Sequence, residues 1–145
     1  MEKDTVKKII VFTDGGSRGN PGPSAIGVVI STDTGDMLIE IGKRIGIGTN
    51  NNAEYSAILE AFNWLTQNRK DFPNLSEINF FLDSNLAMSQ LNGLFKVKNA
   101  QIRGFIFKIR QKESELAVKI TYTHIPREQN KKADTMVNLA LDNEI

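Results

Sequence analysis

EINFFLD, residues 77–83, is a near-continuous apolar run that closes on an aspartate. Apolar at most positions, it suits a strand buried on both faces, the setting of a parallel sheet. A second run, KIIVFTD at 8–14, is rich in β-branched and aromatic residues and also ends in an aspartate, before a glycine pair with the chemistry of a turn. If these two strands are adjacent and parallel, Asp14 and Asp83 stand side by side at their carboxyl ends. Open α/β sheets place their ligands there.

The rest of the chain can be assembled around that pair. SAIGVVIS (Ser24–Ser31) and MLIEIGKRI (Met37–Ile45) flank a turn of Asp33, Thr34, Gly35 and Asp36, so the first three strands predict an antiparallel meander. Between Asn52 and Gln67 the apolar period changes from two to 3.6, with Ala57, Ile58, Ala61, Phe62 and Leu65 forming a helical stripe. Pro73 and Asn74 then break the chain before EINFFL. Ser84–Leu91 reads as a short helix, Asn99–Leu116 as a longer one and Ala117–Thr123 as a last strand. Glu128–Leu141 closes the chain as a helix carrying Ala133, Met136, Val137, Ala140 and Leu141 on one side. The order βββαβααβα is an α/β arrangement.

Composition narrows the chemistry. A chain of 145 residues is the size of one domain, so residues 1–145 are expected to fold as a single unit. The absence of cysteine excludes disulfides, thiolate zinc sites and a cysteine nucleophile. The charged start, Met1–Lys8, does not resemble a signal peptide, and no segment approaches the roughly 20 apolar residues of a membrane span. A monomeric, cytoplasmic protein is the expectation. Net charge is only +1, but the stretch Lys96–Lys132 holds ten Lys and Arg against Glu113, Glu115 and Glu128. A basic segment beside an acidic site suits a phosphate-backbone ligand, although a solvated helix face accounts for most of these residues.

Four acids now stand out. Strand alternation puts Asp14 on one face with Ile10 and Phe12. Glu54 lies in register with Ile58, Ala61 and Leu65, and Asp134 with Val137 and Leu141, so both point toward the sheet. Taken singly, each acid is explained by turn or capping chemistry or by a helix dipole. Taken together they lack any Lys or Arg on the predicted inner faces, and inward carboxylates need a partner. Divalent-cation ligation supplies one, and it points to phosphodiester chemistry.

The strings FTDGGSRGNPGPSAIGVVI, TNNNAEYSAILEA, FLDSNLAMSQLNG and HIPREQNKKADTMVNLALD, which span nearly the whole chain, resemble in order and spacing the motifs of type 1 ribonuclease H. The resemblance implies a five-stranded mixed sheet flanked by helices. It also implies endonucleolytic hydrolysis of the RNA strand of an RNA/DNA hybrid, leaving 5′-phosphate and 3′-hydroxyl ends, with Asp14, Glu54, Asp83 and Asp134 as the metal-binding catalytic set. Two Mg²⁺ ions about 4 Å apart, or Mn²⁺ in their place, fit such oxygen-only ligands, whereas zinc favours His or Cys. An auxiliary role falls to either His124, ten residues before Asp134, or Arg127 in the IPRE segment.

The resemblance further assigns Gly15, Ser17, Asn20 and Asn85 to the RNA strand and Thr49, Asn50 and Asn51 to the DNA strand or its phosphate. Only one residue of an Asn run can cap the following helix, so Asn50, Asn51 and Asn52 invite another purpose. Between the Ser84 and Asn99 helices only NGLFKVK intervenes, where some relatives carry an extra helix and a basic protrusion. Lys96 and Lys98 are expected to provide a smaller phosphate contact, and double-stranded RNA stays open as a second substrate because some relatives without the protrusion cut it.

Overall fold

The computed structural model describes residues 2–145. Its five strands are β1 (Lys8–Ser17), β2 (Gly22–Thr32), β3 (Met37–Gly48), β4 (Glu77–Leu82) and β5 (Lys119–His124). Its four α-helices are α1 (Asn50–Gln67), α2 (Asn85–Leu91), α3 (Ala100–Leu116) and α4 (Lys131–Leu141). The strands form one sheet in the order β3-β2-β1-β4-β5. β1, β2 and β3 pair antiparallel, while β4 lies parallel to β1 on one side and to β5 on the other. The expected mixed sheet is therefore present, with the meander and the parallel strands where the sequence puts them.

The helices divide between the two faces. Ile9 and Val11 of β1, Ile78, Phe80 and Leu82 of β4, and Ile58, Ala61 and Phe62 of α1 are fully buried in one cluster that α3 closes with Ile102, Ile109 and Leu116. Phe62 stacks on Phe80 at 4.7 Å between ring centres, and Phe80 meets Tyr122 at 5.3 Å. A smaller cluster on the other face joins Ala25 to Val137 and Ala140 of α4. Glycine permits that helix to sit close: a Cβ on Gly27 would lie 2.1 Å from the carbonyl oxygen of Ala133.

Several boundaries differ from the sequence expectation for identifiable reasons. β1 does not end at Asp14 but runs through Gly15 and Gly16 to Ser17, paired to β2 throughout. Gly15 serves close packing rather than a turn, since its Cβ would fall 2.2 Å from the carbonyl of Ala53 in α1. Ala117 does not open the last strand. It adopts φ 54° and ψ 40° as the left-handed cap of α3, its N–H bonded to Glu113 O, so β5 starts at Lys119. The final helix begins at Lys131 rather than Glu128, because Arg127–Gln129 form a separate 3₁₀ turn after Pro126.

Candidate active site

Parallel pairing of β1 with β4 stops at Thr13 and Leu82, so the next residue of each strand, Asp14 and Asp83, leaves the ladder at the same point. α1 approaches from the Gly15 side, where Gly15 N–H donates to Glu54 Oε1 at 3.4 Å. Asp14, Glu54 and Asp83 each offer a carboxylate oxygen, and these oxygens lie within 4.8 Å of one another. Asp14 is 3% exposed and Glu54 7% exposed. Asp134, half-buried on the first turn of α4, borders the same cleft of about 450 Å³ without joining the tight group.

Three acids this close cannot share charge comfortably. Burial first, and then the neighbouring Asp83, push Asp14 from its ordinary 3.8 up to about 7. Burial, followed by the charge of Asp14, raises Glu54 well above the usual carboxylate range. None of the ion pairs formed among the described residues involves any of the four acids. Asp14 Oδ1 and Glu54 Oε2 are buried with no hydrogen-bond partner at all. Unpartnered carboxyl oxygens that converge on one point fit a hard divalent cation, which needs oxygen ligands and favours their charged forms.

The remaining residues named from sequence fall into three groups. Gly15, Ser17, Asn50, Asn51 and Arg127 line the carboxylate cleft. Asn20, Thr49, Lys96 and Lys98 line an adjoining depression that Asn50 and Asn51 share. His124, exposed at the end of β5, and Asn85, exposed at the start of α2, line neither. Of the two auxiliary candidates, the fold brings Arg127 to the cleft.

The asparagine run has a different local role from capping. Thr49 caps α1, its hydroxyl accepting from Asn52 N at 3.1 Å. Asn50 Oδ1 accepts from Ser17 N at 2.9 Å, Asn20 Oδ1 accepts from Asn50 N at 3.1 Å, and Asn52 Nδ2 donates to Gln101 Oε1. Asn50 and Asn20 thus commit their acceptor ends to the protein and keep amide donors for a ligand. Sequence reasoning did not single out Arg18, which lines the cleft while paired to Asp142 at 2.6 Å, nor Asn130. Both sit inside quoted motifs, but nothing in residue type distinguished them from loop and cap residues.

A mixed sheet with unneutralised carboxylates gathered beyond the ends of its parallel strands defines the class of α/β proteins with an acidic site that could hold a metal. The family model described as reverse transcriptase-like matches residues 12–140. Ribonuclease HI of Halobacterium salinarum is 34% identical over 98% of this chain and 68% of its own length. The structure of LC11-RNase H1, isolated from compost by a metagenomic approach, superposes with a TM-score of 0.88 at 40% identity, covering 95% of this chain and 98% of that one. The same protein is known in complex with an RNA/DNA hybrid, at a TM-score of 0.88 and 39% identity over 94% of this chain and 98% of that one. This chain belongs to the type 1 ribonuclease H family.

Proposed function

We propose that this protein is an endoribonuclease that hydrolyses the RNA strand of RNA/DNA hybrids, and that residues 1–145 act as one monomeric catalytic domain in the cytoplasm; whether double-stranded RNA is a second substrate is decided by the cleavage test below. The observation that carries the reading is the triad of buried Asp14 and Glu54 with half-buried Asp83, with no Lys or Arg paired to it, in a chain of this family. The hybrid bound by LC11-RNase H1 supports the choice of substrate.

Asp14, Glu54 and Asp83 would hold the metal, with Asp134 completing the set from α4, and two Mg²⁺ ions, or Mn²⁺, are the cations proposed. Once bound, these ions supply a more acidic water, neutralise the phosphate and stabilise the departing 3′ oxygen. The two serine hydroxyls that line the cleft are engaged within the protein. Ser17 Oγ is engaged with Ser24 Oγ and Gly48 O, and Ser84 Oγ caps α2 by accepting from Ala87 N. In this reading water is the nucleophile and the product ends are 5′-phosphate and 3′-hydroxyl, as the family resemblance implies.

The donor ends of Asn50, Asn51 and Asn20, with Lys96 and Lys98 beyond them, orient the duplex by its sugars and phosphates. Gly15 and Ser17 let the backbone approach the RNA, and Asn85 meets it from α2. A guanidinium is a fixed charge that does not exchange protons in catalysis, so the contribution proposed for Arg127 at the scissile phosphate is electrostatic. The test is a labelled RNA annealed to DNA, annealed to RNA or left single, incubated with Mg²⁺ or EDTA, for the native chain and Asp83→Asn. Metal-dependent cutting of the hybrid that disappears in the variant is the expected result. Binding of the hybrid without cutting in Mg²⁺ or Mn²⁺ would make the protein an idle binding module.

A further inference from the structure

We infer that Asn130 is a positioning residue, whose one buried side chain holds Asp83, the β1 strand of Asp14 and the α4 helix of Asp134 in fixed relation around the cation site. The inference rests on the cation-binding reading above. Asn130 is 1% exposed and occupies the entry to α4, where an asparagine ordinarily caps the helix through its side-chain oxygen. Here the side chain makes no capping bond. Its Nδ2 instead donates to Thr13 O at 2.9 Å and to Asp83 Oδ2 at 3.1 Å.

Each of those bonds reaches a different part of the site. Thr13 is the last residue of β1 paired with β4 and immediately precedes Asp14. Asp83 follows β4 directly. The backbone oxygen of Asn130 accepts from the N–H of Asp134 at 3.1 Å, so the same residue fixes the first turn of α4. With one amide hydrogen on an immobile carbonyl, the other can meet Asp83 Oδ2 in only one orientation. The carboxylate plane is set accordingly, with one lone pair engaged and the others left for the cation.

The arrangement also has a cost. Asn130 Oδ1 is buried without a hydrogen-bond partner, a defect that ordinarily destabilises a fold. Turning the amide over would present that oxygen, an acceptor, to Thr13 O and Asp83 Oδ2, two other acceptors, so the donor end is the one that faces the site. The side chain therefore serves the carboxylate site at the helix's expense. Groups that hydrogen-bond to metal ligands commonly change metal affinity or activity by about 10- to 100-fold when removed.

The experiment compares the native chain with Asn130→Ala, Asn130→Ser and Tyr122→Phe. The last deletes the 2.6 Å bond from Tyr122 to Glu113, remote from the cleft, and controls for a general loss of stability. Calorimetric titration with Mg²⁺ alone, kcat and KM on the hybrid, and melting are measured for each. Both Asn130 variants are expected to bind Mg²⁺ about tenfold more weakly and to lose about 10- to 100-fold in kcat, with KM changed less than about twofold. Tyr122→Phe should melt earlier with Mg²⁺ affinity intact.

Unchanged Mg²⁺ affinity and kcat in a folded Asn130 variant would overturn the inference and leave Asn130 as a helix anchor. Should neither variant fold, the native protein answers. Its Asn130 side-chain NH₂ signals should be protected from exchange and shift on Mg²⁺ titration, and invariant signals would overturn the inference equally. A native chain that binds Mg²⁺ yet cuts no duplex would refute the proposed activity alone.

Discussion

Asp14→Asn should stabilise the metal-free protein at alkaline pH while abolishing its response to Mg²⁺. Asp14 titrates near 7 in the fold against 3.8 in an ordinary setting, chiefly because it is buried and then because Asp83 lies beside it. At about 1.4 kcal/mol per tenfold change in acidity, that difference opposes the charged form by roughly 4 kcal/mol. Water reaching the cleft and relaxation around Glu54 reduce it, so about 2 kcal/mol is the working value. The direction follows from proton counting. Between pH 3.8 and about 7 the folded state keeps a proton that the unfolded chain has released, so stability falls as pH rises through this window and levels off above it.

An asparagine of the same shape carries no such penalty. Its advantage is near zero around pH 4 and complete by about pH 8, where about 2 kcal/mol raises the melting temperature by roughly 4–8 °C for a domain of this size. Melting by circular dichroism in EDTA, at several pH values between about 4.5 and 8, measures the difference directly. In Mg²⁺ the order should reverse, because ligand binding to the folded state stabilises the native chain by about 2.7 kcal/mol at a hundredfold excess over Kd, whereas the variant lacks one of the ligands. A variant no more stable than its parent in EDTA near pH 8, with parallel pH profiles, would refute the claim that the triad is electrostatically strained.

Three further perturbations test the geometry. Gly15→Ala places a methyl 2.2 Å from the Ala53 carbonyl and 2.5 Å from Glu54 N, so α1 must retreat with Glu54; a loss of about 3 kcal/mol in urea unfolding and at least 100-fold in hybrid cleavage is expected. Arg127→Ala should lower kcat/KM on the hybrid by about 10- to 100-fold and His124→Ala by less than about threefold, because only Arg127 lines the cleft; the reverse order would give the auxiliary role to His124. Lys96→Ala combined with Lys98→Ala should flatten the salt dependence of hybrid binding by about two in log–log slope, one for each phosphate no longer neutralised, and an unchanged slope would exclude the adjoining depression as the backbone track.

The parts of this fold legible in sequence are those governed by period and burial. KIIVFTD and EINFFLD declare themselves as strands by their apolar runs, and the 3.6-residue stripe of α1 is as plain. The expectation that EINFFL is buried on both faces fails: Ile78, Phe80 and Leu82 are buried while Glu77, Asn79 and Phe81 on the opposite face are half-buried, because α4 packs on β1, β2 and β3 instead. Glu54 and Asp134 are visible by their phase on such stripes rather than by residue type. Boundaries are less legible where one residue serves two conformations. Gly15–Gly16 has the composition of a turn yet continues β1 so that α1 can approach, and Ala117 is a good strand neighbour that instead takes a left-handed cap. Local chemistry decides neither case, because the deciding neighbour comes from a distant element.

The same reasoning explains which site residues escaped notice. A carboxylate on a buried stripe violates the pattern and is visible as a violation, whereas Asn130 before a helix satisfies the pattern and passes as a cap. Only the three-dimensional partners, Thr13 O at 2.9 Å and Asp83 Oδ2 at 3.1 Å, reveal that its donors have been turned away from capping. Asn50 and Asn20 behave alike: the side-chain oxygen of Asn50 accepts from Ser17 N and that of Asn20 accepts from Asn50 N, which fastens the β1–β2 turn to the start of α1 and leaves their amide donors held by the framework. A site built this way separates two tasks. Acids that repel one another create the affinity for a cation, and neutral amides, which add no charge to that balance, fix where the acids and the duplex stand. Exchanging the two kinds of residue would therefore fail in both directions, since an amide in place of Asp14 relieves the repulsion that recruits the metal, and an acid in place of Asn130 adds repulsion where alignment is needed.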